Sequence, residues 1–290
     1  GGAGGGRAAH PPGPGRRAVT SFGVRGLLSR GVLAVAAVLA VLPVLFLVSL
    51  SLRGVDDISN GGWLPTRLRW DNWPAAFQTV PLARMLTNSW VIAIGATLLT
   101  AVIAVPTAYL TARGGRSGAR LYSVLLAAYC APPVVAVLPL YFLLKNVGLT
   151  NSVLGLALVD GLANVPVAVW LLDGFVRRVP RELEEAAWVD GLSVAAGVRR
   201  VVLPLVYPGL VAAGLVCFFL AYNEFLFAVS FSQSPSSQTL TVGLSLFQGD
   251  RTVQFGQQAA ASLVAIVPVY LLAVAAQRAL IGGLSQGAVK

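Results

Sequence analysis

The stretch "RELEEAAWVDGLSVAAGVRRVVLPLVYPG", residues 181–209, sets Glu182, Glu184, Glu185 and Asp190 within ten positions of a chain that is only 11% charged. Pro180 followed by this acidic run predicts a helix start. Proline suits the first turn, and carboxylates there complement exposed amides and the helix dipole. Gly191 predicts the stop. The result is a short helix over residues 181–190, about 13 Å long at 1.5 Å per residue. Ser193 is placed to cap a second helix running toward Leu203 and Pro204, where an apolar run takes over. The passage reads as a compact helix-turn-helix lying between membrane-length segments.

Those segments dominate the chain. Of 290 residues 56% are hydrophobic and only 11% charged, against roughly 25% charged residues in an average soluble domain. Uncharged runs at residues 31–52, 85–112, 121–144, 201–223 and 252–277 reach the roughly 20 residues a membrane-crossing helix needs, the last two placing spans at about 204–231 and 256–279. A sixth, 153–174, is interrupted by Asp160 and spans if that carboxylate faces protein or water. The expected fold class is therefore an all-α integral membrane protein of six transmembrane helices, with the charged passage forming a loop over residues 177–203. Residues 1–29 are expected to form a disordered tail, its first twenty positions dominated by Gly and Pro. The membrane body is expected over 30–290. The first run is too long for a signal-peptide core and is expected to stay as an anchor. Prolines at 43, 106, 132, 133, 139, 166 and 268 lie within or near spans, where kinks are common.

Charge sets the expected topology. Most Lys and Arg residues fall in the N-terminal tail, at 113–120, at 177–200 and at the C-terminus, while Arg53, Arg67, Arg69, Arg84, Lys145 and Arg251 lie on the other side. Basic short loops stay in the cytoplasm, so both termini and the charged passage are expected there. The net charge of +10 sits at helix ends with no basic domain to house a duplex, so no nucleic-acid partner is expected. Trp63, Trp70 and Trp73 suit the outer interface.

Catalysis finds little support. The one histidine, His10, lies in the leader, so the usual general base and commonest metal ligand are missing from the body. No metal site is expected. Cys130 and Cys217 both fall inside expected spans, as small buried hydrophobes rather than a disulfide. Neither lysine follows a phosphate-cradling glycine pattern, so any ATP that drives the protein must bind another chain. Buried acids in a bilayer mark a pathway or hold helices together. Asp160 and Asn164, spaced i and i+4, share a face, and Asn223 and Glu224 lie in the fifth span. These four are the substrate-path candidates. An ion-coupled carrier using Asp160 and Glu224 is the alternative they leave open.

Glu185, Ala186, Ala187, Asp190, Gly191, Val201, Leu203 and Pro204 match the E-A-A-x3-G-x9-I-x-L-P loop of ATP-binding-cassette importer permeases, with valine in place of isoleucine. "NSWVIAIGATLLTAVIAVPTAYLTAR" from Asn88 resembles that family's second helix, and "YNEFLFAVSF" from Tyr222 its fifth. "QRALIGGLSQGAVK" from Gln277 is similar to the tail of the smaller inner-membrane permease of maltose-transporter-type carbohydrate importers. The loop alone also fits permeases for non-sugar solutes. The resemblance implies the type I importer permease fold and a non-enzymatic subunit that moves a sugar or oligosaccharide across the bacterial plasma membrane by alternating access. It further implies a second permease subunit as heterodimer partner, two copies of a cytoplasmic ATPase carrying ATP and Mg, and an extracytoplasmic sugar-binding protein. Residues 181–190 would be the coupling helix, with Glu185 offered to a basic group of the ATPase. The segment 232–257, longer than a hairpin needs, would meet the binding protein.

Overall fold

The computed structural model describes residues 1–2, 21–248 and 254–288, with side chains between 30 and 276 of those ranges. Most of the expected tail, residues 3–20, lies outside the described residues. The backbone of α1 (Ser21–Ser51) is already helical before the boundary expected at residue 30. Phe22, Val24, Leu27 and Leu28 give those turns the same apolar character as the run that follows.

The chain divides into two units, Gly1–Leu47 and Val48–Lys290. The first holds α1 up to Leu47. In the second, the short α2 (Val55–Ser59) and α3 (Asn72–Thr79) lead into α4 (Leu82–Arg113), which is followed by α5 (Gly115–Tyr129) and α6 (Pro133–Asn146). Next come α7 (Val153–Ala163), α8 (Val165–Val176), α9 (Arg181–Val189) and α10 (Val194–Gly197). A π-helical turn, Val198–Val202, precedes α11 (Leu203–Tyr222), α12 (Leu226–Phe231), α13 (Leu240–Ser245) and α14 (Phe255–Ala288). There is no strand among the described residues.

The centre of the second unit is α4, packed against α7, α8 and α11. Its sequence explains the position. Ala96, Thr100, Ala104, Ala108 and Ala112 recur every four residues and are all buried, a stripe of small side chains that lets neighbouring helix backbones approach closely. The Thr100 hydroxyl donates across the seam to the Gly161 carbonyl at 2.7 Å. On the opposite face Val91, Ile94, Leu98 and Val102 are exposed, as expected of a surface turned to lipid.

Among the described residues four helices are long and apolar enough to cross a membrane, and six crossings result if each of two bent pairs counts as one. The first bent pair corrects the sequence expectation of a continuous helix over 121–144. There α5 and α6 meet at 94°. The cause is the Pro132–Pro133 pair: a residue before proline is driven out of the helical region, and Pro132 is extended, at φ −59° and ψ 124°. In the second pair α7 and α8 bend by 44° around Asn164. Pro166 has no N–H to return to the preceding turn, and its ring crowds the carbonyl of Leu162. By contrast Pro43, Pro106, Pro139, Pro208 and Pro268 sit inside helices that continue past them.

Two more expected boundaries differ. The run 204–231 breaks after Tyr222, where Asn223 to Phe225 leave the helix and α12 begins. The second helix of the charged passage does not stop at Leu203 and Pro204 but runs unbroken from Val194 to Tyr222. Proline in the first turn of α11 loses only a hydrogen bond that the π-helical turn has already displaced.

Candidate functional site

Helix α9 forms where the acidic run places it, between Pro180, extended at its N-cap, and Asp190 at its C-cap. Its end is built by Gly191, whose φ of +86° lies in the left-handed region that glycine occupies without penalty. The Gly191 amide donates to the Trp188 carbonyl and the Leu192 amide to the Ala187 carbonyl, both at 3.0 Å, the paired bonds of a Schellman stop. The Ser193 hydroxyl then accepts from the Ala196 amide at 3.4 Å and opens α10. The Trp188 indole closes the two short helices together, approaching a Cβ built on Gly197 to 3.5 Å.

The structure brings Glu185, Ala186, Ala187, Asp190 and Gly191 together on this one element. Glu185, Ala186, Asp190 and Gly191 are exposed, while Ala187 is buried. Leu203 and Pro204 lie apart from them, in the first turn of α11. Leu203 is half-buried and Pro204 exposed. The exposed surface of α9 is mixed: Leu183, Trp188 and Val189 are apolar and solvent-facing beside Glu182 and Glu185.

The neighbouring acid, Glu184, was missed by the motif and carries the heaviest contacts. Its side chain is 4% exposed and pairs with Arg113 at 2.6 Å. The Tyr109 hydroxyl donates to its other carboxylate oxygen at 2.8 Å. Arg113 also donates to the Val179 carbonyl at 2.6 Å. Beside this, the Asp173 carboxylate accepts from the Thr111 hydroxyl at 2.8 Å and from Arg177 Nε at 2.6 Å. The hydrogen bond to Asp173 holds the Arg177 guanidinium above its ordinary range. One signal in the sequence pointed to Glu184. It lies three positions before Ala187 and so shares the face that Ala187 turns inward.

The substrate-path candidates separate. A cavity of about 1020 Å³ is bounded by the α5–α6 bend, the α7–α8 bend and the α11–α12 break, and Asn164 and Glu224 lie on its wall. The rest of the wall is apolar apart from Tyr129. Asp160 and Asn223 are not on it. Asp160 is 3% exposed, and its Oδ1 has no hydrogen-bond partner. The Asn164 amide donates to the Cys217 carbonyl at 3.5 Å. Asn223 is exposed and returns its amide to Phe219 of its own helix. The Glu224 carboxylate accepts from the Phe227 and Ala228 amides at 2.8 and 2.9 Å, so it caps α12 while facing the cavity. Of the two thiols, Cys217 is buried, whereas Cys130 is exposed at the α5–α6 bend, a correction that follows from the break. Among the described residues no three His, Cys, Asp or Glu side chains group as metal ligands would.

The far end of α4 is fixed just as firmly. Asn88 donates to the carbonyls of Pro235, Ser236 and Gln238 at 3.2, 3.3 and 2.9 Å. Asn151, at φ +53°, accepts through its Oδ1 from the Gln233 and Ser234 amides and the Ser237 hydroxyl at 2.9, 3.0 and 2.6 Å. The segment 232–239 is therefore a pinned loop, at the end of α4 remote from α9.

Membrane-crossing helices interrupted where they line a cavity, with a short helix-turn-helix held outside the bundle, define a transport permease. The chain belongs to the family described as binding-protein-dependent transport system inner membrane component, which matches residues 102–284. It is 36% identical over 229 residues to the sulfoquinovosyl glycerol transport system permease protein SmoH of Agrobacterium fabrum, covering 79% of this chain and 80% of that protein. It is 32% identical over 254 residues to the trehalose transport system permease protein SugB of Mycobacterium tuberculosis, covering 87% and 93%. Its fold is similar to a chain in the crystal structure of a bacterial ABC transporter involved in the import of the acidic polysaccharide alginate. The TM-score is 0.74 at 18% identity, covering 91% of this chain and 99% of that one. The fold is that of a type I importer permease.

Proposed function

We propose that this chain is the transmembrane permease subunit of an ATP-binding-cassette importer for a sugar or oligosaccharide, working by alternating access. The observation that carries the reading is α9: a short, exposed, glycine-terminated helix with Leu183, Trp188 and Val189 beside Glu185, presented outside an otherwise apolar bundle. Apolar side chains next to a free carboxylate suit a protein groove with a basic group, where a charge-assisted hydrogen bond forms. The cargo class rests on relatives whose names specify sulfoquinovosyl glycerol and trehalose.

In this reading two copies of a cytoplasmic ATPase bind ATP and Mg and grip α9 of this subunit and its counterpart in a second, different permease. The excess of basic residues beside α9 supports a cytoplasmic location for it and for both termini. An extracytoplasmic binding protein delivers the sugar at the opposite end. Glu185, Ala186, Asp190 and Gly191 form the ATPase contact, with Ala187 buried behind them as part of the same coupling element and Leu203 and Pro204 beginning the helix that continues inward. Asn164 and Glu224 face the path. Asp160 and Asn223 lie off its wall.

The test is purification of the intact complex in mild detergent, with mass spectrometry of the retained chains and ATPase measurement. A second permease and an ATPase should be retained by the wild type, and Glu185→Lys should lose the ATPase. A protein that retains no ATPase and transports under an ion gradient overturns the reading.

A further inference from the structure

We propose that Glu184, Arg113 and Tyr109 form a latch that makes α9 move as one body with α4, so that motion of α9 enters the membrane through α4. In this role Glu184 is a positioning residue. The inference rests on the reading of α9 as the ATPase contact but can fail independently of it.

The chain itself connects α9 to α8 through residues 177–180 and to α10 through Gly191. A stroke on α9 would therefore be expected to pass into α8 or α11. The side chains add a direct route into α4. Three residues in the last turn and a half of α4, Tyr109, Thr111 and Arg113, hold the region around α9. Tyr109 and Arg113 grip Glu184 from both sides of its carboxylate. Arg113 also ties down the connecting link at the Val179 carbonyl. Thr111 holds Asp173 through its hydroxyl and Arg177 through its carbonyl, the latter at 3.2 Å.

The latch is buried, and that gives it its mechanical quality. Arg113 and Glu184 side chains are 13% and 4% exposed. Separating such a pair leaves an uncompensated buried charge, which is strongly unfavourable, so α9 does not slide on α4 as it would over a surface ion pair. Above the latch, α4 presents its small-residue stripe to α7, α8 and α11, and Thr100 joins it to Gly161. Gly161 lies in the last turn of α7, three positions before Asn164 and the bend beside the cavity. Displacement of α4 is thus delivered to the broken span that lines the path.

Distance measurement between spin labels tests this on the assembled complex in nanodiscs. Cys130→Ser and Cys217→Ala remove the native thiols, and labels are placed at Leu110→Cys on α4 and at Arg181→Cys, on the first turn of α9 and outside the apolar surface offered to the ATPase, both exposed. The expected distribution is narrow and keeps its mean whether ATP with vanadate is present or absent. Glu184→Gln should broaden and lengthen it, and the exchanged pair Glu184→Arg with Arg113→Glu should narrow it again. A mean that shifts on nucleotide binding in the parent background overturns the proposal. So does a Glu184→Gln distribution as narrow as the parent's. Failure to fold in the single variant leaves the parent nucleotide comparison decisive. If no ATPase joins the complex, the functional reading fails, while the nucleotide-free distributions still decide the latch.

Discussion

Replacing Gly191 by alanine isolates backbone strain at the end of α9. A Cβ built at this position meets nothing within 4 Å, so no steric contact contributes. What remains is the φ of +86°, which an L-residue adopts at a cost of about 1–2 kcal/mol. That is roughly a 5- to 30-fold increase in the opening of the Schellman stop. The reporter is the Leu192 amide, which donates to the Ala187 carbonyl. In hydrogen-exchange mass spectrometry its protection should fall by that factor in Gly191→Ala. Gly191→Asn should lose less, because asparagine tolerates the left-handed region better. Unchanged protection in Gly191→Ala, or a larger loss in asparagine than in alanine, would refute the argument that left-handed geometry selects glycine here.

Other outcomes follow from single contacts. A Cβ on Gly209 would lie 2.4 Å from the Phe175 ring, so Gly209→Ala should overpack the α8–α11 seam by about 1–3 kcal/mol. A lowered midpoint in a thermal scan of detergent-solubilised protein reads this out. Asn151→Ala removes the acceptor of the Gln233 and Ser234 amides, and both should exchange faster. Asn151→Gly, which relieves the positive φ but not the lost acceptor, should exchange them equally fast. The hydrogen bond from the Thr66 hydroxyl holds the Asp57 carboxyl below the usual aspartate range. A depressed acid stabilises the fold above its unfolded value, near pH 3.9, and loses that contribution as pH falls through the folded value. Protection of the Thr66 amide, which donates to the same carboxylate, should therefore drop below about pH 4 once corrected for intrinsic rate, and Asp57→Asn should remove the dependence.

The crossings and α9 were legible because their signals are local: uncharged runs of membrane length, and an acidic run closed by glycine. The breaks were less so. Seven prolines looked alike in the sequence, yet only Pro132–Pro133 and Pro166 break the span that contains them. A doubled proline constrains two consecutive backbones, and Pro166 acts together with Asn164 and the bundle around it. Single prolines inside long helices are absorbed by neighbouring turns. Glu184 escaped notice because its meaning depends on Arg113, which is 71 positions away. Spacing relates Asp160 to Asn164 on one helical face, and adjacency relates Asn223 to Glu224 in another span, whereas the cavity wall is decided by where three helices are broken.

Asn88 and Asn151 hold the loop at 232–239 largely by its backbone, Asn88 through three carbonyls and Asn151 through two amides. A frame that grips the main chain is largely indifferent to the side chains it displays. Gln233, Pro235 and Ser236, all exposed, can therefore be exchanged with little change in the loop's path. This end of the bundle is a display scaffold, on which new recognition sequences can be tried, by selection or by grafting, while the helices behind it stay as they are.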